Sequence, residues 1–167
     1  MAFVLLWSLA SAAAPHGAAA NPAPQPVEIP EGGTTLHATL FRPDGPGPFA
    51  AVVALHGCEG LRNPNGSLRP RYQDWGQRLS GGGLVVLFPD SYGSRGLGPQ
   101  CASRARQVRT DRERVADADA ALHWLQAQAW VRPQRVSLLG WSSGATTTLW
   151  AVRRHPAVED NRADFRS

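Results

Sequence analysis

This chain of 167 residues contains no lysine: all 17 basic residues are arginine, set against 13 acids for a net charge of +4. The arginines are scattered or interleaved with acids, as in Asp111-Arg112-Glu113-Arg114. A nucleic-acid-binding face needs its basic residues clustered on one surface, so no nucleic-acid partner is expected. The bias toward Ala, Gly, Pro and Arg without lysine looks like GC-rich coding and carries no function. Cysteine is scarce, with only Cys58 and Cys101; there is no C-x-x-C and the histidines are dispersed, which argues against a metal site. No internal repeat is visible, and the apolar segment at the start is too short to make a stable membrane anchor.

That opening segment, Ala2-Phe3-Val4-Leu5-Leu6-Trp7-Ser8-Leu9-Ala10, has the length of a signal-peptide core and is followed by small residues ending in Ala18-Ala19-Ala20. Residues 1–20 therefore read as a signal peptide without a basic n-region, and the protein as secreted or periplasmic. Asn21-Pro22-Ala23-Pro24-Gln25-Pro26 reads as a Pro-rich linker. The remainder, 27–167, has enough apolar residues for one core.

Three apolar runs of strand length each end in a loop of Gly or polar residues. Ala50-Ala51-Val52-Val53-Ala54-Leu55 leads into His56-Gly57-Cys58-Glu59-Gly60, Leu84-Val85-Val86-Leu87-Phe88 into Pro89-Asp90-Ser91-Tyr92-Gly93, and Arg135-Val136-Ser137-Leu138-Leu139 into Gly140-Trp141-Ser142-Ser143-Gly144. Buried parallel strands read this way, and open α/β sheets bind ligands at that edge. The last loop is a G-x-S-x-G sequence between a strand and a helix, the setting of a nucleophile elbow. A serine on such a turn stands clear of its neighbours, while the next backbone N–H and the helix N-terminus face the reacting oxygen.

Helix signals fall between the strands. Thr110 followed by Glu113 is a capping-box pattern. Val115, Ala118, Leu122, Leu125 and Ala129 recur at helical spacing, with Arg112, Glu113, Arg114, Asp117 and Asp119 on the flanks. A shorter helix around Tyr72, Trp75 and Leu79 is stopped by Gly81-Gly82-Gly83, and a third is expected from Ser143 to about Arg154. Val27-Glu28-Ile29 and His37-Ala38-Thr39-Leu40-Phe41 form a hairpin across Glu31-Gly32-Gly33. The predicted class is α/β, the N-terminal part of an α/β-hydrolase fold, with a mostly parallel sheet and helices on both faces.

The segments His56-Gly57-Cys58-Glu59-Gly60, Pro89-Asp90-Ser91-Tyr92-Gly93-Ser94-Arg95-Gly96, Ala120-Ala121-Leu122-His123-Trp124-Leu125 and Leu139-Gly140-Trp141-Ser142-Ser143-Gly144 resemble the dienelactone hydrolase family, in particular its secreted branch with a serine nucleophile. The resemblance covers roughly residues 27 to 167. It implies Ser142 as nucleophile and the backbone N–H groups of Cys58 and Ser143 as oxyanion hole, acting on a small-molecule ester or lactone without a cofactor. Arg95 is implied as a substrate-carboxylate ligand, although one extra residue precedes it, and Tyr92 and Trp141 as pocket residues, with core packing an equal alternative for Trp141. Ala145 stands where the family usually has a second glycine. Both cysteines match cysteine positions of the secreted branch; a bridge and two buried thiols remain open alternatives.

In this fold the acid and histidine of the triad follow the serine, and only 25 residues follow Ser142. The chain is therefore expected to be cut after the elbow, with residues 163–167 leading into the next strand. A competing reading follows: a catalytically inactive truncated fragment that self-associates through an open sheet edge. A peptidase or acyltransferase on the same fold is a third reading, because loops set the leaving group and acceptor. Among the histidines, His56 is expected to shape its loop, His155 to lie beyond reach of Ser142, and His37 and His123 to be surface or packing residues. Asp90 is expected to hydrogen-bond within its loop, and Glu59 to hold either Arg95 or the serine loop.

Overall fold

The computed structural model describes residues 23–103 and 107–154; the signal-peptide reading, His155 and residues 163–167 fall outside them. Five strands form one sheet in the order β1-β2-β4-β3-β5: β1 (Gln25–Glu31), β2 (Thr34–Phe41), β3 (Phe49–Leu55), β4 (Leu84–Pro89) and β5 (Val131–Gly140). β4, β3 and β5 are parallel neighbours, whereas β2 pairs antiparallel with both β1 and β4. The sheet is thus mixed, its parallel half carrying the loops of interest.

The expected hairpin is β1–β2, but it starts inside the stretch read as linker. Gln25 and Pro26 pair with Leu40 and Thr39. Pro26 and Pro30 are tolerated there because β1 is an edge strand, where a missing N–H can point away from the ladder. β5 begins at Val131, four residues before the predicted run, with a register shift against β3 between Phe49 and Ala51.

Alternation along the inner strands divides the core in two. Ala51, Val53, Leu55, Val85 and Leu87 face α2 (Glu113–Gln126), packing on Ala118, Ala121, Leu122 and Leu125. Val52, Ala54, Val86 and Phe88 face α1 (Pro70–Gly81), where Tyr72, Leu79 and Leu61 meet them. Pro70 opens α1, a position where a missing N–H costs nothing. α3 (Ser143–Arg154) lies beside α2 and contacts β3 and β5. Helices therefore cover both faces, as predicted.

Three expectations for α2 need correction. Its first helical residue is Glu113 and its N-cap is Arg112, with no side-chain capping hydrogen bond; instead the Glu113 carboxylate accepts the Arg109 N–H at 2.8 Å. It ends at Gln126, so Ala129 is not on it. Arg114 and Asp117 are also fully buried rather than flanking. They share a face with Ala118 and Ala121 at helical spacing, and each has polar partners described below.

Candidate active site

β5 ends at Gly140 and α3 begins at Ser143, leaving two residues for the reversal. The Trp141 N–H donates to Leu55 O at 3.1 Å, which prolongs the β3–β5 ladder by one rung past the end of β5. Ser142 follows with φ of 52°, the one non-glycine residue with positive φ among the described residues. Such a conformation costs about 1–3 kcal/mol and persists where the surroundings over-determine it. Here the surroundings are backbone. A Cβ on Gly140 would overlap the Gly144 carbonyl, and one on Gly144 would overlap the Leu55 carbonyl and lie 2.7 Å from His56 O. The elbow thus lies directly on the end of β3, with Ser142 exposed and Ser143 buried.

The loop after β3 is fastened from α1. Tyr72, wholly buried, accepts the Gly57 N–H at 2.8 Å and donates to Glu59 Oε1 at 2.7 Å. Burial, then the Glu59 hydrogen bond, pushes its pKa up to about 12. Glu59 also faces Arg71 Nη1 at 3.5 Å, and its carbonyl accepts Arg69 Nη2 at 2.9 Å. Glu59 therefore holds Tyr72 and Arg71, neither of the two partners expected. Cys58 is disulfide-bonded to Cys101, and its carbonyl accepts the Gln100 N–H at 2.7 Å. The bridge ties the loop after β3 to the segment that follows β4. Of the two alternatives left by the sequence, the structure has the disulfide.

Behind these loops lies a buried polar cluster. Arg114 is fully buried; its Nη1 donates to Ser143 Oγ at 3.0 Å and its Nη2 to His56 O at 2.6 Å, with the guanidinium 5.3 Å from the Tyr92 ring centroid. Burial lowers its pKa from the usual arginine value, with Tyr92 and Asp117 pulling the other way. His56 Nδ1 donates to Gly57 O at 2.8 Å, and the ring packs edge-on against Tyr92. Its Nε2 is 3.8 Å from Asp90 Oδ1. Burial first, then Arg114, lowers the His56 pKa to about 3, so the imidazole is neutral. Asp90 accepts the Gly93 N–H at 2.9 Å, the loop role expected of it, while burial raises its pKa.

Arg95 is engaged elsewhere. Its guanidinium makes a two-pronged contact with Asp117 at 2.7 and 3.0 Å, donates to Ser91 O at 2.8 Å and lies 3.7 Å from Glu31. It joins the β4 loop to α2 and β1. Tyr92 is buried and lines a cavity of about 350 Å³ between the loops after β3 and β4. Trp141 belongs to the α1-side cluster, with ring centroids 5.5 Å from Tyr72 and 5.9 Å from Trp75. Ser142 opens into a different cavity, about 500 Å³, lined also by Glu59, Arg69, Pro70 and Arg71. Reading the sequence missed Tyr72, Arg69 and Arg71 at this site; a buried tyrosine and an arginine in the first turn of a helix, with a second arginine at its N-cap, carry no local signature.

A parallel β-loop-α frame with a strained serine at the strand-to-helix turn defines an α/β hydrolase. Residues 70–158, more than half of the chain, match the model of the prolyl oligopeptidase family, and the chain belongs to that family. Among solved structures the fold is similar to a dienelactone hydrolase-like promiscuous phosphotriesterase, P91, from metagenomic libraries. The TM-score is 0.64 at 24% identity, covering 80% of this chain and 55% of that one. A protein assigned as a dienelactone hydrolase from Klebsiella pneumoniae subsp. pneumoniae gives TM-score 0.60 at 20% identity over 78% of this chain and 54% of that one. Esterase Est22 gives 0.63 at 21% over 82% and 40%. The expected dienelactone hydrolase-like fold is the fold observed, and the chain spans about half the length of these structures.

Proposed function

We propose that the full-length protein is a serine hydrolase of carboxylic esters or lactones, with Ser142 as nucleophile. The observation that carries this reading is Ser142 itself: an exposed serine at φ 52° on a turn whose backbone crowding admits only glycine at 140 and 144. Strain retained at one exposed polar side chain is what a nucleophile elbow requires.

The Ser142 hydroxyl adds to the substrate carbonyl carbon, and its proton passes to a histidine held by an acid partner; among the described residues no histidine hydrogen-bonds Ser142. The carbonyl oxygen becomes an oxyanion, held by the N–H groups of Cys58 and Ser143. Collapse expels the alkoxide, which takes the proton from the histidine, and water then cleaves the acyl-serine by the same steps. His56 is not the base in this scheme, because its ring has no exposed surface and a pKa lowered to about 3 makes it a weak proton acceptor. Arg69 and Arg71 at the mouth of the Ser142 cavity are available to line the substrate path. We also propose export to an oxidising compartment, which the Cys58–Cys101 bridge supports. Among the described residues no helix is long and apolar enough to cross a membrane.

Steady-state turnover of a short-chain aryl ester by the full-length protein tests the assignment. Ser142→Ala is expected to lower that rate at least about a thousandfold, the scale of losing a triad nucleophile, and to abolish labelling by a fluorophosphonate. Turnover and labelling that survive the substitution would place the nucleophile elsewhere.

A further inference from the structure

Arg114 is a cation with no exposed surface, and no carboxylate among the described residues forms an ion pair with it. Asp117, one turn along the same helix, is taken bidentately by Arg95. Burying a charge without a directly paired anion is costly, and it is offset here by two acceptor dipoles, the Tyr92 ring and the nearby charge of Asp117. Those dipoles belong to two specific places. Nη1 holds the hydroxyl of Ser143, the first residue of α3, and Nη2 holds the carbonyl of His56, two residues before Cys58. These are the two loops whose amides form the oxyanion hole in the function proposed above. A guanidinium suits such a bridge because its fork is planar and rigid, so two bonds from one group fix the separation of their acceptors.

We propose that Arg114 is a positioning residue of the oxyanion hole, clamping the elbow at Ser143 to the loop after β3 at His56 so that the Ser143 and Cys58 amides converge on one oxygen. This inference rests on the reading of Ser142 as nucleophile. Oxyanion donors act by being placed in advance, and a loss of about 10²- to 10³-fold follows removal of one donor. Displacing a donor without deleting it should cost less. The clamp also acts from behind the site: Arg114 touches no substrate, so its contribution belongs to the transition state rather than to binding.

The test uses the full-length protein and an activated aryl ester. Arg114→Met, similar in length and uncharged, is expected to lower kcat by roughly ten- to a hundredfold with little change in KM, the pattern of an interaction made only in the transition state. Affinity for an aryl boronic acid, whose tetrahedral adduct on Ser142 presents an oxygen to the same amides, should fall in parallel. Ser143→Ala provides the second arm should Arg114→Met not fold. It removes only the Nη1 acceptor and keeps the Ser143 amide, and it should lower kcat several-fold and weaken the boronic acid likewise. A folded Arg114→Met protein with kcat within twofold of wild type overturns the inference, as does a loss confined to KM. If Arg114→Met is unfolded, a Ser143→Ala protein with unchanged kcat and boronic-acid affinity overturns it as well. Ser142→Ala in the same assay separates the two claims. If it abolishes turnover while the clamp variants do not, only the positioning role falls; if it leaves turnover intact, the nucleophile assignment and the inference fall together.

Discussion

The Tyr72 hydroxyl donates to Glu59 Oε1 at 2.7 Å while it accepts the Gly57 N–H at 2.8 Å, so one phenol holds the loop after β3 at two points. Tyr72→Phe leaves a buried N–H without an acceptor and should destabilise the protein by about 1–3 kcal/mol, read from urea unfolding. The same phenol makes stability depend on alkaline pH. Its folded pKa of about 12 lies above the ordinary value of 10. Its contribution is therefore complete below pH 10 and is lost as pH rises from 10 through 12. Unfolding midpoints of wild type and Tyr72→Phe should converge across that window; curves that stay parallel would rule the linkage out.

Strain at the elbow makes a prediction of opposite sign for stability and activity. Ser142→Gly should stabilise the fold by about 1 kcal/mol, since glycine adopts φ near 50° without penalty, and should abolish ester turnover. Gly144→Ala, whose added methyl would overlap the Leu55 carbonyl, should instead destabilise by about 2 kcal/mol or more and lose activity with the fold. Paired urea titrations of the two variants check both signs.

The Cys58–Cys101 bridge closes a span of 43 residues. On the chain-entropy model this is worth about 4 kcal/mol, so reduction with a phosphine should lower the unfolding midpoint markedly. Mass spectrometry of the exported, non-reduced protein should find no alkylatable thiol, and two alkylated cysteines would refute the bridge.

Expressed alone, residues 21–167 should show no burst and no steady turnover with an activated ester, because no histidine among the described residues hydrogen-bonds Ser142. Among the described residues β5 ends the sheet order with no strand on its outer side, and Leu149, Trp150 and Val152 on α3 are exposed; an apolar open edge invites association. Light scattering should therefore report oligomers. A monodisperse monomer with Ser142-dependent turnover would return His56 to consideration as the base.

The sequence by itself determined the strands, the elbow and its serine. Those signals are local: an apolar run of strand length followed by Gly-x-Ser-x-Gly reports burial, turn and helix start within ten residues. It also determined the β1–β2 hairpin and the span of α3, for the same reason. What it could not settle were the partners of charged side chains. Arg114 and Asp117 read as flanks of a surface helix, and the Asp117 partner of Arg95 went unseen, because a guanidinium's position along the chain says nothing of which carboxylate or carbonyl it meets. The pairings Arg95 to Asp117, 22 residues apart, and Arg114 to His56, 58 apart, exist only once the sheet brings β1, the β3 and β4 loops and α2 together. Tertiary structure also decided that Cys58 and Cys101 join and that Ser142 shares its cavity with Arg69 and Arg71. Local pattern fixes which residues can be buried; which buried group meets which is a property of the packed chain, since the cost of an unsatisfied charge is resolved only there.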